Sequence, residues 1–355
     1  MVPLPAASRQ GRIETVNRRQ LLSSPATRGR GTVRRTVVGV RVHASIGYRM
    51  TRDPLAAGDL IAERRFAYGK AAAEEGDLSA AAELFEQALE RAPDWAAAWF
   101  ALGEAREKLG DLDAAARAFR ETQLADPDDA QGAEARLALI GRADAPRALP
   151  QAYVARLFDD YAPRFDKHLA DNLNYRGPTL IADALGAVAP GRRFASALDL
   201  GCGTGLMGMA LRERVDRLAG VDLSAAMIAK ASERDLYDRL VVDDALAMLR
   251  REPPGSLDVI VAADALVYVG DLAPLFAAVA SALAVDGLFS FSVETCEGDG
   301  FKLEPTMRFA HSRTYVEATA REAGFGPLLI RSASTRREAG VDAPGLICVF
   351  GRTDL

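Results

Sequence analysis

The sequence predicts an α/β fold, in which a seven-stranded sheet covered by helices on both faces is preceded by an all-α domain of helical hairpins. Three observations support this prediction. From Phe194 onward, apolar strand patterns alternate with helical patterns, which is typical of a parallel sheet. At residues 198–208 an apolar strand runs into a glycine turn and then a helix. Ahead of these elements the chain contains a repeat of 34 residues.

The N-terminal segment differs in composition from the rest of the chain. The chain has 355 residues and is 49% hydrophobic, which suffices for two or more domains with ordinary cores. Residues 1–49 are rich in Arg, Ser, Gly and Thr, and Glu14 is their only acid. We expect this segment to be a disordered leader or the product of an overlong start, with Met50 as the alternative beginning. The remainder is strongly acidic, which disfavours a nucleic-acid partner.

The cysteines and the apolar runs exclude several other classes of protein. Cys202, Cys296 and Cys348 are odd in number and show neither CxxC nor CxxH spacing, so we predict no disulfide framework and no metal site. No apolar run approaches the roughly 20 residues that a membrane helix needs. We therefore expect a cytoplasmic protein in a reducing compartment, without a membrane partner.

The repeat becomes visible when the chain is shifted by 34 residues. Gly69 then superposes on Gly103 and Phe85 on Phe119, and a Gly-Asp-Leu sequence recurs at 76–78 and 110–112. Small residues at the helix crossing and an aromatic residue in the second helix resemble the tetratricopeptide (TPR) pattern. We expect the glycines to let paired helices approach, and the phenylalanines to fill the gap to the next pair.

The repeats imply the following domain organisation. The TPR-like region covers 50–141, with copies at 62–95 and 96–129 and a capping helix at 130–141. A linker at 142–150 precedes the α/β domain at 151–355. Two copies are fewer than an independent stack needs, so the capping helix should complete it or pack it on the next domain. A groove for a protein or peptide partner and a scaffold or dimerisation module remain equal alternatives.

The glycine turn predicts a nucleotide site. Gly201, Gly203 and Gly205 allow tight turning, positive φ and close approach of a ligand to the backbone. The run from Gly203 to Gly208 also satisfies the dinucleotide pattern G-x-G-x-x-G. Asp199 favours a different ligand, because a carboxylate opposes a pyrophosphate but suits a cationic amino group and a sulfonium.

The spacing Asp199-x-Gly-x-Gly-x-Gly resembles motif I of the class I S-adenosylmethionine (SAM) dependent methyltransferases. From Met50 onward the chain is similar to a bacterial group of methyltransferases with N-terminal TPRs, and its catalytic domain to methyltransferases of the biotin and ubiquinone pathways. The resemblance implies a Rossmann-like sheet whose last two strands form a hairpin, with an antiparallel seventh strand beside the sixth. It also implies SAM as the cofactor.

Further candidate cofactor residues follow the strand ends. Asp222 ends the second predicted strand, where a carboxylate can accept both ribose hydroxyls. The resemblance implies that Leu223 and Met227 sandwich the adenine, and that Asp244, favoured over the adjacent Asp243, accepts the adenine amino group. The remaining candidates near SAM are Ala245, Ala263, Asp264 and, in the preceding helix, Tyr161.

Two residues are predicted on the acceptor side. Tyr268 follows the fourth strand and would face the acceptor. His311 lies in Arg-Phe-Ala-His-Ser, which resembles an Arg-Tyr-Ala-His-Ser element of the TPR group, and is the candidate base; His168 is the alternative. No Asn/Asp-Pro-Pro-Tyr/Phe sequence follows the fourth strand, which argues against methylation of amide or exocyclic amino nitrogens.

These features predict a SAM-dependent methyltransferase that acts on a small-molecule acceptor by direct displacement, with TPRs for recruitment or assembly. Three alternatives stay open. The first is a protein methyltransferase whose TPR groove holds the target chain. The second is a non-catalytic SAM-binding TPR adaptor, and the third is a nicotinamide-dependent oxidoreductase.

Overall fold

The computed structural model describes residues 57–166, 175–338 and 341–353, with the side chain of residue 338 excepted. The predicted leader at 1–49 and His168 lie outside the described residues. Within that part of the chain, no helix combines the length and the apolar character that crossing a membrane requires.

In the described range that begins at residue 57, five helices form the repeat region. They are α1 (Leu60–Glu75), α2 (Leu78–Leu89), α3 (Ala96–Lys108), α4 (Leu112–Ala125) and α5 (Ala133–Leu139). The helices α1 and α2 form one antiparallel pair and α3 and α4 a second, and α5 packs on α4. The first four helices fall within the predicted copies 62–95 and 96–129, except that α1 begins two residues earlier.

The repeated Gly-Asp-Leu sequence makes the turn inside each hairpin. Gly76 and Gly110 have φ of 89° and 83°, a left-handed conformation that ends the first helix. Each following aspartate caps the next helix: Asp77 accepts a hydrogen bond from the Ala80 N–H, and Asp111 does the same one repeat later. One short motif therefore stops one helix and starts the next.

The repeated spacing of glycine and phenylalanine has a packing role inside each hairpin. A Cβ placed on Gly69 would lie 2.6 Å from the Phe85 ring, and one on Gly103 would lie 2.5 Å from the Phe119 ring. Each ring therefore occupies the space that its own hairpin's glycine leaves. Phe85 also shares an apolar cluster with Ala98 and Leu102 of α3, and Phe119 shares one with Leu137 of α5, as expected for rings that pack towards the next helices.

The second region is built on one sheet. Its strands are β1 (Phe194–Leu200), β2 (Val215–Asp222), β3 (Arg239–Val242), β4 (Leu257–Ala262), β5 (Leu283–Thr295), β6 (Phe301–Glu304), β7 (Arg308–His311) and β8 (Phe325–Ser332); β9 (Arg337–Glu338) and β10 (Val341–Asp342) form a separate ribbon, and β11 (Gly345–Arg352) returns to the sheet. Among the described residues, the α-helices that accompany the strands are α6 (Gln151–Tyr161), α7 (Gly177–Val188), α8 (Leu206–Leu211), α9 (Ala225–Glu233), α10 (Ala245–Arg251), α11 (Ala273–Ala282) and α12 (Arg313–Glu322).

The strand order is β3-β2-β1-β4-β5-β11-β8, and β11 is antiparallel to both of its neighbours. This confirms the predicted α/β fold and the inserted antiparallel strand. The sheet contains two strands more than the predicted seven, because β6 and β7 form a hairpin at the end of β5. Each of these two strands is only four residues long, too short for an alternating pattern to stand out.

An apolar cluster, hereafter the interdomain cluster, joins the repeats to the sheet region. It contains Ala135 of α5, Val154 of α6, Leu303 of β6 and Phe309 of β7, with Tyr268 packed against it. The capping helix therefore packs the repeats on the following domain, and the contact lies beside a predicted acceptor residue.

Candidate functional site

The glycine turn that follows β1 has a left-handed backbone at each of its three glycines. Gly201, Gly203 and Gly205 have φ of 66°, 53° and 90°, so a side chain at any of them would be strained. A Cβ on Gly201 would also lie 2.6 Å from the Ala265 Cβ, in the loop that follows β4. The turn thus brings the ends of β1 and β4 together at one edge of the sheet.

Asp199 lies fully buried beneath this turn. Its Oδ2 accepts a hydrogen bond of 2.6 Å from the Tyr237 hydroxyl, whereas its Oδ1 has no partner among the described residues. Burial raises the pKa of Asp199 to about 7, and the negative charge of Asp222 adds to the rise, while the Tyr237 bond opposes it. Asp199 is therefore a buried carboxyl with an unused acceptor beside the glycine turn.

Sequence reasoning missed Tyr237. Besides bonding Asp199, its hydroxyl accepts a hydrogen bond of 3.1 Å from the Gly208 N–H. A Cβ on Gly208 or Gly220 would lie 2.6 or 2.8 Å from its ring. Gly208, the third glycine of the dinucleotide pattern, therefore makes room for this tyrosine. Tyr237 follows α9, and only the fold reveals its contact with residues on β1 and α8.

Asp222 closes the second side of the turn. Its Oδ2 accepts from the Gly203 N–H at 2.8 Å, and its Oδ1 accepts from the Ser224 N–H at 2.9 Å. Burial raises the pKa of Asp222, and these two backbone bonds act in the opposite direction. Each carboxylate oxygen keeps a further lone pair, so the group is fixed in orientation and can still accept hydroxyl protons.

The predicted adenine residues lie on the next two loops. Leu223 is partly buried at the edge of the interdomain cluster, whereas Met227 is fully buried in α9 and packs as core in this conformation. Asp244 caps α10 by accepting from the Ala247 N–H at 2.8 Å, so Ala245 is the first residue of that helix. Asp243 is instead paired with Arg251.

The loop after β4 holds Asp264 in an unusual backbone conformation. Its φ is 53°, which few residues other than glycine adopt. Ser292 of β5 supports it twice, because its hydroxyl accepts from the Asp264 N–H at 2.8 Å and donates to the Asp264 carboxylate at 2.7 Å. Ala263 precedes it, half-buried at the strand end. Strained residues of this kind cluster at ligand sites.

Residues 151–166, which include α6, pack over the glycine turn and are hereafter the covering segment. Asp159 of α6 accepts from the Ser224 hydroxyl at 2.6 Å and from the Ala226 N–H at 3.1 Å. Asp166 accepts from the Thr204 hydroxyl at 2.5 Å and pairs with Arg234. Sequence reasoning missed these contacts, although Thr204 lies inside the glycine motif.

Aromatic residues of this covering segment form a wall that reaches the acceptor side. Tyr161 contacts Phe165 edge to face at 5.1 Å, Phe165 contacts Phe158 at 6.1 Å, and Phe158 contacts Tyr268 at 5.5 Å. All four are partly exposed. The predicted residues Tyr161 and Tyr268 therefore lie at opposite ends of one continuous apolar surface, hereafter the aromatic wall.

His311 lies beside the same loop as Tyr268 but does not reach solvent. It is fully buried, and its Nε2 donates to the carbonyls of Val269 and Gly270 at 2.9 and 3.2 Å. Burial lowers its pKa to about 4, against the effect of these two bonds. Its neutral imidazole thus fixes the chain directly after Tyr268, which favours a positioning role over direct proton transfer in this conformation.

The arrangement fits the cofactor that the sequence resemblance implies. The unused Oδ1 of Asp199 suits a cationic amino group, and the three glycines leave a cradle that a Cβ would obstruct. Asp222 presents oriented acceptors for hydroxyls, and Asp264 adds a carboxylate at the end of β4. The described residues contain no cluster of side chains that could hold a metal ion.

Two family models match the chain. One, described as a methyltransferase domain, covers residues 197–287, and one described as a tetratricopeptide repeat covers residues 72–156. Together with the strand order, these matches define a class I, SAM-dependent type of methyltransferase domain that follows TPR repeats. The resemblances to a class I methyltransferase and to TPR repeats are thereby confirmed.

Two curated methyltransferases match part of the chain. The chain is 37% identical over 115 residues to methyltransferase-like protein 27 of Homo sapiens, covering 31% of this chain and 45% of that protein. It is 38% identical over 91 residues to malonyl-[acyl-carrier protein] O-methyltransferase of Enterobacter lignolyticus, covering 26% and 34%. The chain therefore spans less than half the length of these relatives.

Solved structures of methyltransferases match a larger share of the chain. The 1,6-didemethyltoxoflavin-N1-methyltransferase of Burkholderia thailandensis, solved with 1,6-didemethyltoxoflavin and S-adenosylhomocysteine, has a TM-score of 0.46 and 21% identity over 59% of this chain and 93% of its own. The N-methyltransferase NodS of Bradyrhizobium japonicum, in complex with S-adenosylhomocysteine, has a TM-score of 0.46 and 16% identity over 57% and 99%.

Proposed function

We propose that this protein transfers a methyl group from SAM to a small-molecule acceptor, and that its TPR repeats recruit or assemble the reaction partners. The observation that carries the proposal is the buried Asp199, with one oxygen unused, beneath a glycine turn that is also bonded to Asp222. A pyrophosphate would meet a negative charge at this position, so the arrangement favours SAM over a dinucleotide.

Each group has a defined part in this reaction. Asp199 and Asp264 bind the methionine part of SAM, Asp222 binds the ribose, and Asp244 accepts a hydrogen bond from the adenine amino group. SAM supplies an electrophilic methyl group, so the protein has to align the acceptor and exclude water. The covering segment, with Asp159 and Asp166, excludes water from the site, and Tyr268 faces the acceptor.

A protein acceptor is the second candidate, and one observation favours it. A pocket of about 230 Å³ lies between the repeats and the sheet region, lined by Phe100, Glu104, Tyr153 and Met307 among others. A chain bound along the repeats would therefore end close to α6, which carries two rings of the aromatic wall. The small-molecule acceptor remains our first proposal because the wall offers an apolar surface next to Tyr268.

Ligand binding and methyl transfer test the proposal separately. SAM and S-adenosylhomocysteine should raise the melting temperature whereas NADPH should not, because a ligand of the native state stabilises it. Replacing Asp222 by Ala should weaken SAM binding about ten- to hundredfold, as expected for lost charge-assisted hydrogen bonds. The control is Asp243→Asn, which should leave affinity unchanged. Stabilisation by NADPH alone would contradict the proposal.

The acceptor class is then tested with labelled SAM. Radiolabelled methyl should pass into the small-molecule fraction of a cell extract. Label found only in protein would favour the second candidate instead.

A further inference from the structure

The linker between the repeats and the sheet region is bonded to the loop that carries Tyr268. The Leu149 N–H donates to the Tyr268 carbonyl at 2.9 Å, and the Gly270 N–H donates to the Arg147 carbonyl at 2.8 Å. These two bonds enclose a single antiparallel bridge, so linker and loop lie side by side like two short strands. Residues 147–149 are hereafter the linker strand.

The linker strand is connected to the repeats and to the covering segment. Leu149 is 4% exposed and belongs to the interdomain cluster, together with Ala135 of the capping helix α5. At the start of the linker, Arg142 donates to Asp113 of α4 at 2.9 Å. At its end, Pro150 directly precedes α6. One short segment therefore contacts the repeats, the covering segment and the loop of Tyr268.

The opposite end of this loop is fixed on the cofactor side. Ser292 holds the backbone and the carboxylate of Asp264, and Ala265 lies against Gly201 of the glycine turn. Only one 3₁₀ turn, Leu266–Tyr268, separates this fixed end from the linker strand. Since the turn is so short, the contacts at its two ends together determine where the Tyr268 ring lies.

His311 and the linker strand hold different atoms of the loop. The His311 Nε2 donates to the carbonyls of Val269 and Gly270, whereas the linker strand binds the Tyr268 carbonyl and the Gly270 N–H. Of these bonds, only the one from Leu149 is made to Tyr268 itself. None of these atoms belongs to the groups assigned to SAM, so the linker strand acts on the acceptor side of the site.

We infer that the linker strand is part of the acceptor site, and that the Leu149 N–H positions Tyr268 for methyl transfer without affecting the binding of SAM. This inference rests on the proposed function and gives the linker a part in it. The competing explanation is that these bonds only stabilise the contact between the repeats and the sheet region.

The test removes one N–H and leaves every side chain in place. In the full chain, Leu149 is replaced by its α-hydroxy analogue, leucic acid, through suppression of a stop codon, so that one backbone amide becomes an ester. Losing one backbone hydrogen bond is a small change against the stability of a folded domain, so this variant should stay folded. Amide hydrogen exchange at residues 268–271 should become about five- to tenfold faster.

Methyl transfer then measures whether the position of Tyr268 matters for the reaction. With labelled SAM and the small-molecule fraction of a cell extract, the Leu149 ester should transfer label about ten- to hundredfold more slowly than wild type, because a small displacement of an aligning group has this effect. Its affinity for S-adenosylhomocysteine should stay within about twofold of wild type. A merely weaker contact between the two regions predicts a lower melting temperature with an unchanged initial rate.

The matched control is an ester at Ala323, made in the same way with lactic acid. The Ala323 N–H donates to the Thr319 carbonyl at 3.1 Å, where α12 ends. This helix end precedes β8, which runs parallel to β5, so it lies at the edge of the sheet opposite the site. The control should lower the melting temperature about as much as the Leu149 ester, with wild-type loop exchange and a wild-type transfer rate.

Four results would overturn the inference. They are unchanged loop exchange in the Leu149 ester, an unchanged transfer rate, a loss of S-adenosylhomocysteine affinity as large as the loss of rate, and an equal loss of rate in the Ala323 ester. Absence of label from the wild-type reaction would instead contradict the proposed methyl transfer, and loop exchange would still test whether the Leu149 N–H holds the loop.

Discussion

Among single residues, Asp199 combines burial with a carboxyl pKa of about 7. Below pH 7 the group is protonated in the ligand-free protein, and above pH 7 it is ionised. A cationic amino group binds the ionised form better, so we expect the affinity for SAM to rise between pH 6 and 8 and then level off. Calorimetric titration across this range measures the effect, and Asp199→Asn should bind more weakly with a flat profile.

The same residue should leave a signature on stability. The pKa of Asp199 is raised from 3.8, so the native state holds its proton more tightly than the unfolded chain does. The contribution of Asp199 to stability is therefore present at low pH and lost as the pH rises towards 7. A pH profile of the unfolding free energy that is the same in Asp199→Asn and wild type would contradict this account.

His311 should behave in the opposite way. Its pKa is lowered to about 4, so between pH 6.5 and 4 the unfolded chain binds a proton at this residue and the native state does not. The native state is thus destabilised as the pH falls from 6.5 to 4, and His311→Gln should lack this loss in denaturant titrations. Because His311 fixes the chain after Tyr268, His311→Ala should lower turnover without changing SAM affinity. Unaltered turnover would exclude a role for His311 in the reaction.

At the scale of elements, the helical hairpins depend on the absence of one methyl group. Gly69→Ala and Gly103→Ala should each destabilise the protein by about 1 to 3 kcal/mol, because the new Cβ would overlap Phe85 or Phe119. The control is Gly186→Ala in α7, where a Cβ would meet only the Arg214 side chain at 3.7 Å. There we expect a gain of about 0.5 to 1 kcal/mol, since alanine favours helix. Melting curves of the three variants compare these effects.

The elements also show how far sequence patterns can predict this protein. The turn inside each hairpin was predictable, because Gly-Asp-Leu contains both a helix stop and a helix cap. The end of β1 at the glycine turn was predictable for the same reason, since glycine spacing is local. The hairpin β6–β7 was not, because its strands are short and it is held by pairing with β5.

Some residues of the candidate site could likewise be predicted from the sequence, and others could not. Asp199 and Asp222 follow recognisable strands, so their positions could be inferred from the chain alone. The Tyr237 hydroxyl on Asp199 and the Asp166 carboxylate on Thr204 join residues 38 positions apart. Such contacts depend on tertiary packing, and neither tyrosine nor aspartate has a distinctive sequence context there. The same holds for the bond between Leu149 of the linker and Tyr268.

For the whole molecule, the interdomain cluster links the repeats to the site. Because α5, α6 and the hairpin β6–β7 share it, we expect the repeats and the sheet region to unfold in one cooperative transition. Ala135→Glu would place a charge in this cluster and should separate the calorimetric transition into two. Two transitions in the wild-type protein would show that the regions are independent.

The left-handed backbone at Asp264 affects how quickly a ligand can be captured. Ser292 already holds this residue on both its amide and its carboxylate, so the strain is met during folding and no loop has to be ordered when a ligand arrives. Association with a preorganised loop avoids the entropic cost of ordering it. We therefore expect the loop after β4 to keep its backbone conformation whether or not a ligand is bound.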